Sequence, residues 1–471
     1  MKTMKLAIAG ALLGLLMSCG VWAADAASSD LRQPSSLQRT AFHYDTSTYF
    51  AGENGAGTSP SDKTAEGEQP PSAEKGGACG SETCDSCSSC DRPCRWCRCG
   101  KLPEPWTLPQ PCGLACRDIK IGGWLSGGVY GNVRGDASNG PLSLNSVGDG
   151  VTANQLWIYA EKKVDTKGCG TDWGFRADYM FGTDGPDTQC FGDRSWDWNW
   201  TSSRDYGSAI PQLYAEFGFN DWTLKAGHFY TPMGYEVVPA TGNFFYSHSY
   251  AMGYGEPFTH TGFLLTRKVN DKVSLFGGWV DGWDAGFGNY NGASNFLGGT
   301  NITISEKSSL AWVICMGRWG DGRAPYVNGA ALGNDGEIFH SCLVFTRKFG
   351  EKWTYVLQND VASNWGRPGR DDAQWYGIAQ YLLYKVSDCV SWGGRLEWFR
   401  DDDGTRVIDG NAGNYWEATL GLNIKPHANF TFRPEIRYDW YGGGVGPVGR
   451  PFNGGLDIDQ VSGGFDVIFT Y

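Results

Sequence analysis

The chain has 471 residues, a formal net charge of −12, and many glycines (68) and aromatic residues (24 Phe, 22 Tyr and 21 Trp). This composition disfavours helix bundles and doubly wound α/β folds. The acidic balance excludes nucleic-acid binding, because the chain offers little positive charge to neutralise phosphates. Beyond roughly the first two dozen residues, no apolar run is long enough for a transmembrane helix, whereas a transmembrane β-barrel agrees with the sequence.

The N-terminal region divides into two segments that precede any predicted fold. Residues 1–23 have the layout of a secretory signal peptide, in which lysines precede an apolar stretch and small residues follow. We predict cleavage after Ala23, with cleavage before Cys19, as in a lipoprotein, as the alternative. Residues 24–78 are rich in Ser, Gly, Ala, Pro, Glu and Thr without periodicity, which predicts a flexible low-complexity spacer.

A cysteine-rich segment follows at residues 79–116 and contains nine of the 15 cysteines. In an exported chain, this density predicts disulfide bonds and an anchor to the cell envelope or wall. Two alternatives stay open. One is a bound metal or iron–sulfur cluster, since four of the cysteines have the spacing of a bacterial cluster-binding run, and the other is intermolecular cross-linking. The nine residues are Cys79, Cys84, Cys87, Cys90, Cys94, Cys97, Cys99, Cys112 and Cys116.

Residues 117–471 repeatedly alternate between apolar and polar side chains, each time over about the 9 to 11 residues that a tilted membrane strand needs. In the clearest case, residues 430–440, aromatic residues, Pro and Ile occupy one face, and Thr, Arg, Glu and Asp occupy the other. Similar patterns occur at 172–181, 416–424 and 461–471. Such strands predict a barrel with lipid outside and water inside.

The connections between these strands alternate between very short polar turns and long loops rich in Gly, Asn and Asp. Seven turns and eight loops predict about 16 strands, with both ends of the barrel on the short-turn, periplasmic side. We therefore predict an all-β fold, a transmembrane antiparallel β-barrel of about 16 strands. A soluble propeller is disfavoured because no blade-length repeat occurs. The turns are predicted at 165–170, 220–221, 270–271, 307–308, 350–351, 387–388 and Pro426, and the loops at about 131–152, 182–209, 229–258, 282–294, 319–337, 364–373, 401–413 and 441–460.

Three segments of the predicted barrel resemble the outer-membrane β-barrel porin family described as OmpL-like. They read GHFYTPMGYE at 227–236, NFFYS at 243–247 and YGEPFTHTG at 254–262. The resemblance covers most of residues 119–471 and implies a porin-type barrel without a defined substrate. The cysteine-rich segment lies outside it.

The end of the chain resembles an assembly signal. Phe469 and the terminal Tyr471 are similar to the C-terminal aromatic signal by which such barrels are recognised for membrane assembly. This similarity implies contact with the barrel-assembly machinery.

If the apolar faces of the strands meet lipid, their other faces line a water-filled lumen. Arginines opposite carboxylates across such a lumen would produce a transverse field that orders dipolar solutes. The alternative is that these charges are only solvated or paired with each other. The predicted pore-lining residues are Arg176, Asp178, Glu216, Lys225, Arg318, Asp360, Arg395, Glu397, Arg433, Glu435 and Arg437.

The loop at 229–258 is the longest and the third of the long loops, the one that in general porins commonly folds into the barrel. It carries more aromatic residues than a loop left in water would, so we predict that it folds inward and narrows the lumen. Contact with a neighbouring protomer or with lipid headgroups is the alternative. The predicted constriction residues are Glu236, Phe244, Phe245, Tyr246, Tyr250, Tyr254 and Glu256.

The remaining motifs predict neither catalysis, a cofactor nor a metal site in the barrel. A glycine motif at 444–449 contains Pro447 and opens no helix, and the calcium-type run at 401–404 has Ala412 where the bidentate Glu should stand. We therefore predict a non-enzymatic porin for passive diffusion of ions and small hydrophilic solutes. The alternatives are a secreted or surface-held β protein that binds or cleaves carbohydrate, and a plugged structural barrel. Analogy with other porins suggests a homotrimer.

Overall fold

The structure is a computed structural model, and the predicted signal peptide, the spacer and the cysteines from Cys79 to Cys99 lie outside its described residues. The described residues are 102–135, 138–148, 150–167, 169–190, 196–197, 200–203, 205–288, 292–319, 326–327, 330–331, 336–366, 371–447 and 449–471.

Antiparallel strands form nearly all of the regular structure. They are β1 (Lys120–Asn132), β2 (Val151–Lys162), β3 (Thr171–Gly182), β4 (Gly207–Ala209), β5 (Leu213–Phe219), β6 (Trp222–Tyr230), β7 (Thr259–Lys268), β8 (Val273–Val280), β9 (Ser294–Ser305), β10 (Ser308–Arg318), β11 (Tyr326–Val327), β12 (Ala330–Ala331), β13 (Glu337–Phe349), β14 (Trp353–Trp365), β15 (Ala373–Lys385), β16 (Val390–Asp401), β17 (Gly413–His427), β18 (Phe430–Gly443) and β19 (Asp459–Thr470). The helical segments are α1 (Cys112–Ala115), α2 (Gly185–Thr188), a 3-10 turn (Ala240–Gly242) and a π-helical turn (Ala251–Gly255).

The strands close into a single barrel. Strand β1 pairs with β19 from Trp124↔Thr470 to Asn132↔Ser462, and this pairing joins the first strand to the last. Strands β4 and β5 both pair with β3 and are two parts of one wall strand, whereas β11 and β12 form a separate hairpin. The closed antiparallel barrel therefore has 16 strands, which confirms the predicted fold class.

One rim carries seven short turns and the other carries eight long loops, as predicted. Local chemistry explains several turns: Asn220 has a φ of 52°, and the side chain of Asn270 accepts hydrogen bonds from the backbone of Lys272 and Val273. The last turn lies at 428–429, because β17 continues past Pro426 through an irregularity in its pairing with β18.

The two faces of the wall differ as the alternation predicts. On β17 and β18, Leu420 is 62% exposed and Ile436 is 57% exposed, whereas Glu417 and Arg437 on the opposite face are at most 1% exposed. The apolar side chains therefore form the outer surface, and the charged ones point inward. Within the described residues, no helix is long and apolar enough to cross a membrane.

The loop between β6 and β7, residues 231–258, packs against the inward faces of strands β14 to β18. Its Phe245, Tyr250 and Tyr254 belong to a buried cluster that also contains Trp375 and Phe399 of the wall. We call this segment the inner loop. Its contacts with the wall place the candidate functional site.

Candidate functional site

Carboxylates on the wall hold the backbone of the inner loop. The N–H groups of Tyr250 and Ala251 donate to the two oxygens of Glu397 at 2.6 Å each. Those of Tyr246 and Ser247 donate to Glu435 at 2.7 and 3.0 Å. Each of these carboxyl groups accepts two backbone hydrogen bonds, so Glu397 and Glu435 hold the loop to the wall at two points.

Arg395 links the inner loop to two strands at once. Its Nη1 donates to Glu236 Oε1 at 2.6 Å and to the carbonyl oxygen of Ser247 at 2.8 Å. Its Nε donates to Glu417 Oε1 at 2.5 Å. All three charged side chains are buried, so they form a buried ion-pair network that fixes the loop to β16 and β17.

Two arginines of β18 hold carbonyl groups of the same loop. Nη1 of Arg433 donates at 2.9 Å to the carbonyl oxygens of Ala240, Asn243 and Phe245, while Asp466 of β19 binds Arg433 through both oxygens. A fixed fork of N–H donors suits such multiple recognition.

Arg437 and Asp439 form the next anchor along β18. Nη1 of Arg437 donates to the carbonyl oxygen of His248 at 2.5 Å, and its remaining donors reach Asp439. The hydroxyl of Tyr250 donates to Asp439 at 2.7 Å. The loop is thus bonded to β18 through backbone and side chain together.

The protonation of two loop groups follows from this network. Burial raises the pKa of the Glu236 carboxyl, but Arg395, His248 and the hydrogen bond from the Ser249 backbone together outweigh it, so the pKa lies below its usual range. Burial lowers the pKa of His248 to about 4, against the opposing effect of Glu236. At neutral pH, Glu236 is ionised and His248 is neutral.

A second cluster lies where the inner loop returns to the wall. Glu256 accepts a hydrogen bond from Gln358 at 2.6 Å and lies 3.3 Å from Cys342 Sγ, while Asp360 contacts His340 at 3.1 Å. One ligand atom from each of Glu256, Cys342 and Asp360 lies within 4.8 Å of the others. Of the groups in the described residues, these three have the donor set and spacing to hold a cation, although the sequence predicted no metal site.

The other predicted pore-lining charges divide into two groups. Arg176 pairs with Asp178 at 2.8 Å, and Lys225 lies 3.3 Å from Glu216, all on the inward faces of β3, β5 and β6. Arg318 is different. It is exposed and shares its face of β10 with the exposed Trp312 and Met316, while Val313 and Cys315 are buried on the other face. The prediction that Arg318 lines the lumen is therefore wrong.

The predicted constriction residues lie together in the inner loop. Glu236, Phe245, Tyr246, Tyr250, Tyr254 and Glu256 are buried, and Phe244 is half-buried. Phe244 packs against Phe245 with their ring centroids 5.0 Å apart. The burial of these residues agrees with a loop that folds inward, and the narrowing of the lumen stays a prediction.

Sequence reasoning missed several partners of these residues. Glu417, Asp439 and Asp466 stood on the polar faces of recognised strands, so alternation alone could have selected them. Arg406 lies in a long loop, where no strand period applies, and its Nε donates to the carbonyl oxygen of Tyr254 at 2.7 Å. Only the fold reveals its position.

The described part of the N-terminal extension contacts the short-turn rim. The backbone N–H of Trp106 donates to Asn429 Oδ1 at 2.8 Å, and the Trp106 ring stacks on Phe469. Cys112 and Cys116 are exposed free thiols, so the predicted disulfide framework stays a prediction for the cysteines outside the described residues. Tyr471 pairs with β1 through its backbone.

Comparisons with known proteins agree with this architecture. A family model described as "Putative beta-barrel porin-2, OmpL-like" matches residues 118–471. The anion-selective porin from Comamonas acidovorans is similar over 75% of this chain and 99% of its own, with 12% identity and a TM-score of 0.50. The outer membrane channel DcaP of Acinetobacter baumannii has 12% identity and a TM-score of 0.48, over 75% of this chain and 97% of its own. No curated protein matches the sequence.

Proposed function

Because the chain belongs to the OmpL-like family of β-barrel porins, we propose that it is an outer-membrane channel rather than an enzyme. Ions and small hydrophilic solutes pass through it by diffusion. The inward faces carry charged pairs, which keep a lumen wetted and disfavour apolar solutes. The wall is set in outer-membrane lipid, so its assembly depends on the barrel-assembly machinery. The secreted, carbohydrate-binding alternative does not agree with a closed porin-type barrel.

The observation that carries this proposal is the attachment of the inner loop to the wall by Glu397, Glu435 and Arg395. A loop fixed in this way across β14 to β18 narrows the lumen without flexing. The inner loop also reaches Asn154 and Gln155 of β2. Arg176, Glu216 and Lys225 face inward on β3, β5 and β6 and would set the electrostatic preference of the narrowed lumen.

A plugged structural barrel is the second candidate, because the charges that contact the inner loop are almost completely buried. In both candidates we propose that the N-terminal extension lies in the periplasm, and the contact of Trp106 with the short-turn rim supports this. In both, its cysteine-rich segment attaches the barrel to the envelope.

Single-channel conductance in a planar bilayer tests the proposal. The purified chain, the chain without residues 24–116, and a variant in which a short Gly-Ser linker replaces 240–252 are compared after heat-modifiability on gels has shown folding. We expect discrete steps that survive the N-terminal truncation and grow with the loop deletion. Conductance that is absent from the folded, inserted full chain and present only in the loop deletion would establish the plugged barrel instead.

A further inference from the structure

Two carboxamide side chains face outward from the apolar wall of the barrel. Asn359 lies on β14 and Gln380 on the neighbouring β15. In the pairing of these strands, Asn359 is opposite Ile378, and Gln380 is opposite Leu357, so the two amides are diagonal neighbours on one face. The polar pair is therefore surrounded by apolar side chains.

The depth of this pair follows from the aromatic residues on the same strands. Asn359 stands midway between Trp353 and Trp365 at the two ends of β14. Gln380 stands midway between Tyr376 and Tyr384 on β15. Aromatic residues mark the two lipid–water interfaces of a membrane barrel, so both amides lie near the middle of the apolar band.

The chain satisfies only part of the hydrogen-bonding capacity of the pair. Nδ2 of Asn359 donates to the carbonyl oxygen of Gly377 at 3.0 Å, and Oε1 of Gln380 accepts from the hydroxyl of Tyr355 at 2.8 Å. A carboxamide offers two N–H donors and two acceptor positions. Within the described residues, the exposed amide nitrogen of Gln380 has no protein partner, and lipid tails cannot supply one.

The shape of the surface points the same way. Between the rims, the outward side chains of β13 and β14 are only half-exposed, whereas the flanking Trp312 of β10 and Leu382 of β15 are exposed. The outward side chains around Asn359 are therefore less exposed than those beside Gln380 on β15.

We propose that a second copy of this chain covers the outer face of β13 to β15, with Asn359 and Gln380 bonded across the contact. In a membrane, two copies with the same orientation meet at the same depth. Among the described outward-facing residues, Asn359 and Gln380 are the only carboxamides midway between the rims. A partner amide at that depth would come from the same face, so the proposed contact is two-fold and differs from the homotrimer that analogy with other porins suggests. Polar side chains of transmembrane helices associate in lipid through the same kind of hydrogen bond.

Photo-crosslinking locates the contact independently of conductance, since this inference rests on the outer-membrane placement and not on an open pore. In the full chain, a photoreactive phenylalanine analogue replaces Leu382, an exposed outward residue of β15 whose substitution leaves both amides in place, and the matched control carries it at Phe217, an exposed outward residue of β5. We expect a cross-linked dimer from position 382 only. Equal cross-linking from both positions, or none in lipid vesicles, would overturn the proposal.

Equilibrium dissociation in lipid tests the role of the amides themselves. In Asn359→Leu/Gln380→Leu, we expect dissociation to rise roughly tenfold or more, which is what the loss of about 1.4 kcal/mol of interaction produces. Gln374→Leu changes an amide at the loop rim of the same strand and should leave dissociation unchanged. Association as a trimer, with an affinity that the double variant leaves unchanged, would refute the two-fold contact. Gel heat-modifiability shows that each variant folds.

Discussion

At the scale of single residues, the position of the inner loop depends on the buried ion pairs of Arg395. Its guanidinium bonds Glu236 of the inner loop and Glu417 of β17, and all three side chains are buried. Removing one member of a buried ion pair leaves the others as uncompensated charges, which costs more than the pair contributes. The network therefore enforces one loop position rather than simply adding stability.

We predict that Arg395→Ala lowers the free energy of unfolding by about 3–5 kcal/mol, because Glu236 and Glu417 lose their buried counter-charge. Arg400→Ala on the same strand is the control. Its partner Asp402 is half-exposed, so the expected loss is only about 0–1 kcal/mol. Denaturant titration in detergent micelles measures the free energy of unfolding of both variants. Similar losses in the two would show that the buried ion pairs of Arg395 do not fix the loop.

At the scale of elements, the loop that contains α2 depends on the protonation of buried carboxyls. Burial raises the pKa of Asp187 to about 7, against the effect of the hydrogen bond from the Leu144 backbone. Burial also raises the pKa of Asp184 to about 8, with Gln155 opposing and Asp187 adding. Asp187 joins α2 to the loop that contains Leu144, whereas Asp184 accepts a hydrogen bond from Gln155 of β2.

We predict that the contact between Asp187 and the Leu144 backbone weakens as pH rises. Because the pKa of folded Asp187 lies above its ordinary value of 3.8, its contribution is complete below about pH 4 and is lost as pH rises through about 7. In Asp187→Asn, the difference in protection of the Leu144 amide between pH 5 and pH 8 should shrink. Hydrogen exchange measures it, with Asp221→Asn at an exposed short turn as control, and an unchanged difference would contradict the assignment.

At the scale of the whole molecule, alternation in the sequence predicted the barrel, its strand number and the inward direction of Arg433 and Arg437. It succeeded because the side-chain period of a strand is fixed at two. It could not identify the partners of those residues, since Arg433 contacts carbonyl groups about 190 residues earlier in the chain. It also failed for Arg318, where the direction of a side chain at a strand end depends on the register with β9 and β13.

We predict that the depth of an outward residue decides how well the wall tolerates a charge. Leu420→Arg, near the middle of β17, should destabilise the barrel by about 2–4 kcal/mol in lipid vesicles, because the arginine enters the apolar band. Asn414→Arg, at the loop end of the same strand, should cost about 0–1 kcal/mol. Unfolding in urea gives both values. Equal costs at the two depths would contradict the placement of the band.

The attachment of the inner loop also bears on the order of assembly. Glu236 lies 159 residues before Arg395, Tyr250 lies 147 residues before Glu397, and Tyr246 lies 189 residues before Glu435. Every one of these anchors belongs to the last strands of the chain, and contacts between residues so distant in sequence form late and slowly. Before β16 to β18 join the sheet, the loop therefore lacks its charged anchors and has only contacts such as those with Asn154 and Gln155 of β2. In a partly built barrel this loop would be held only loosely, and it becomes fixed across the interior as the wall nears closure.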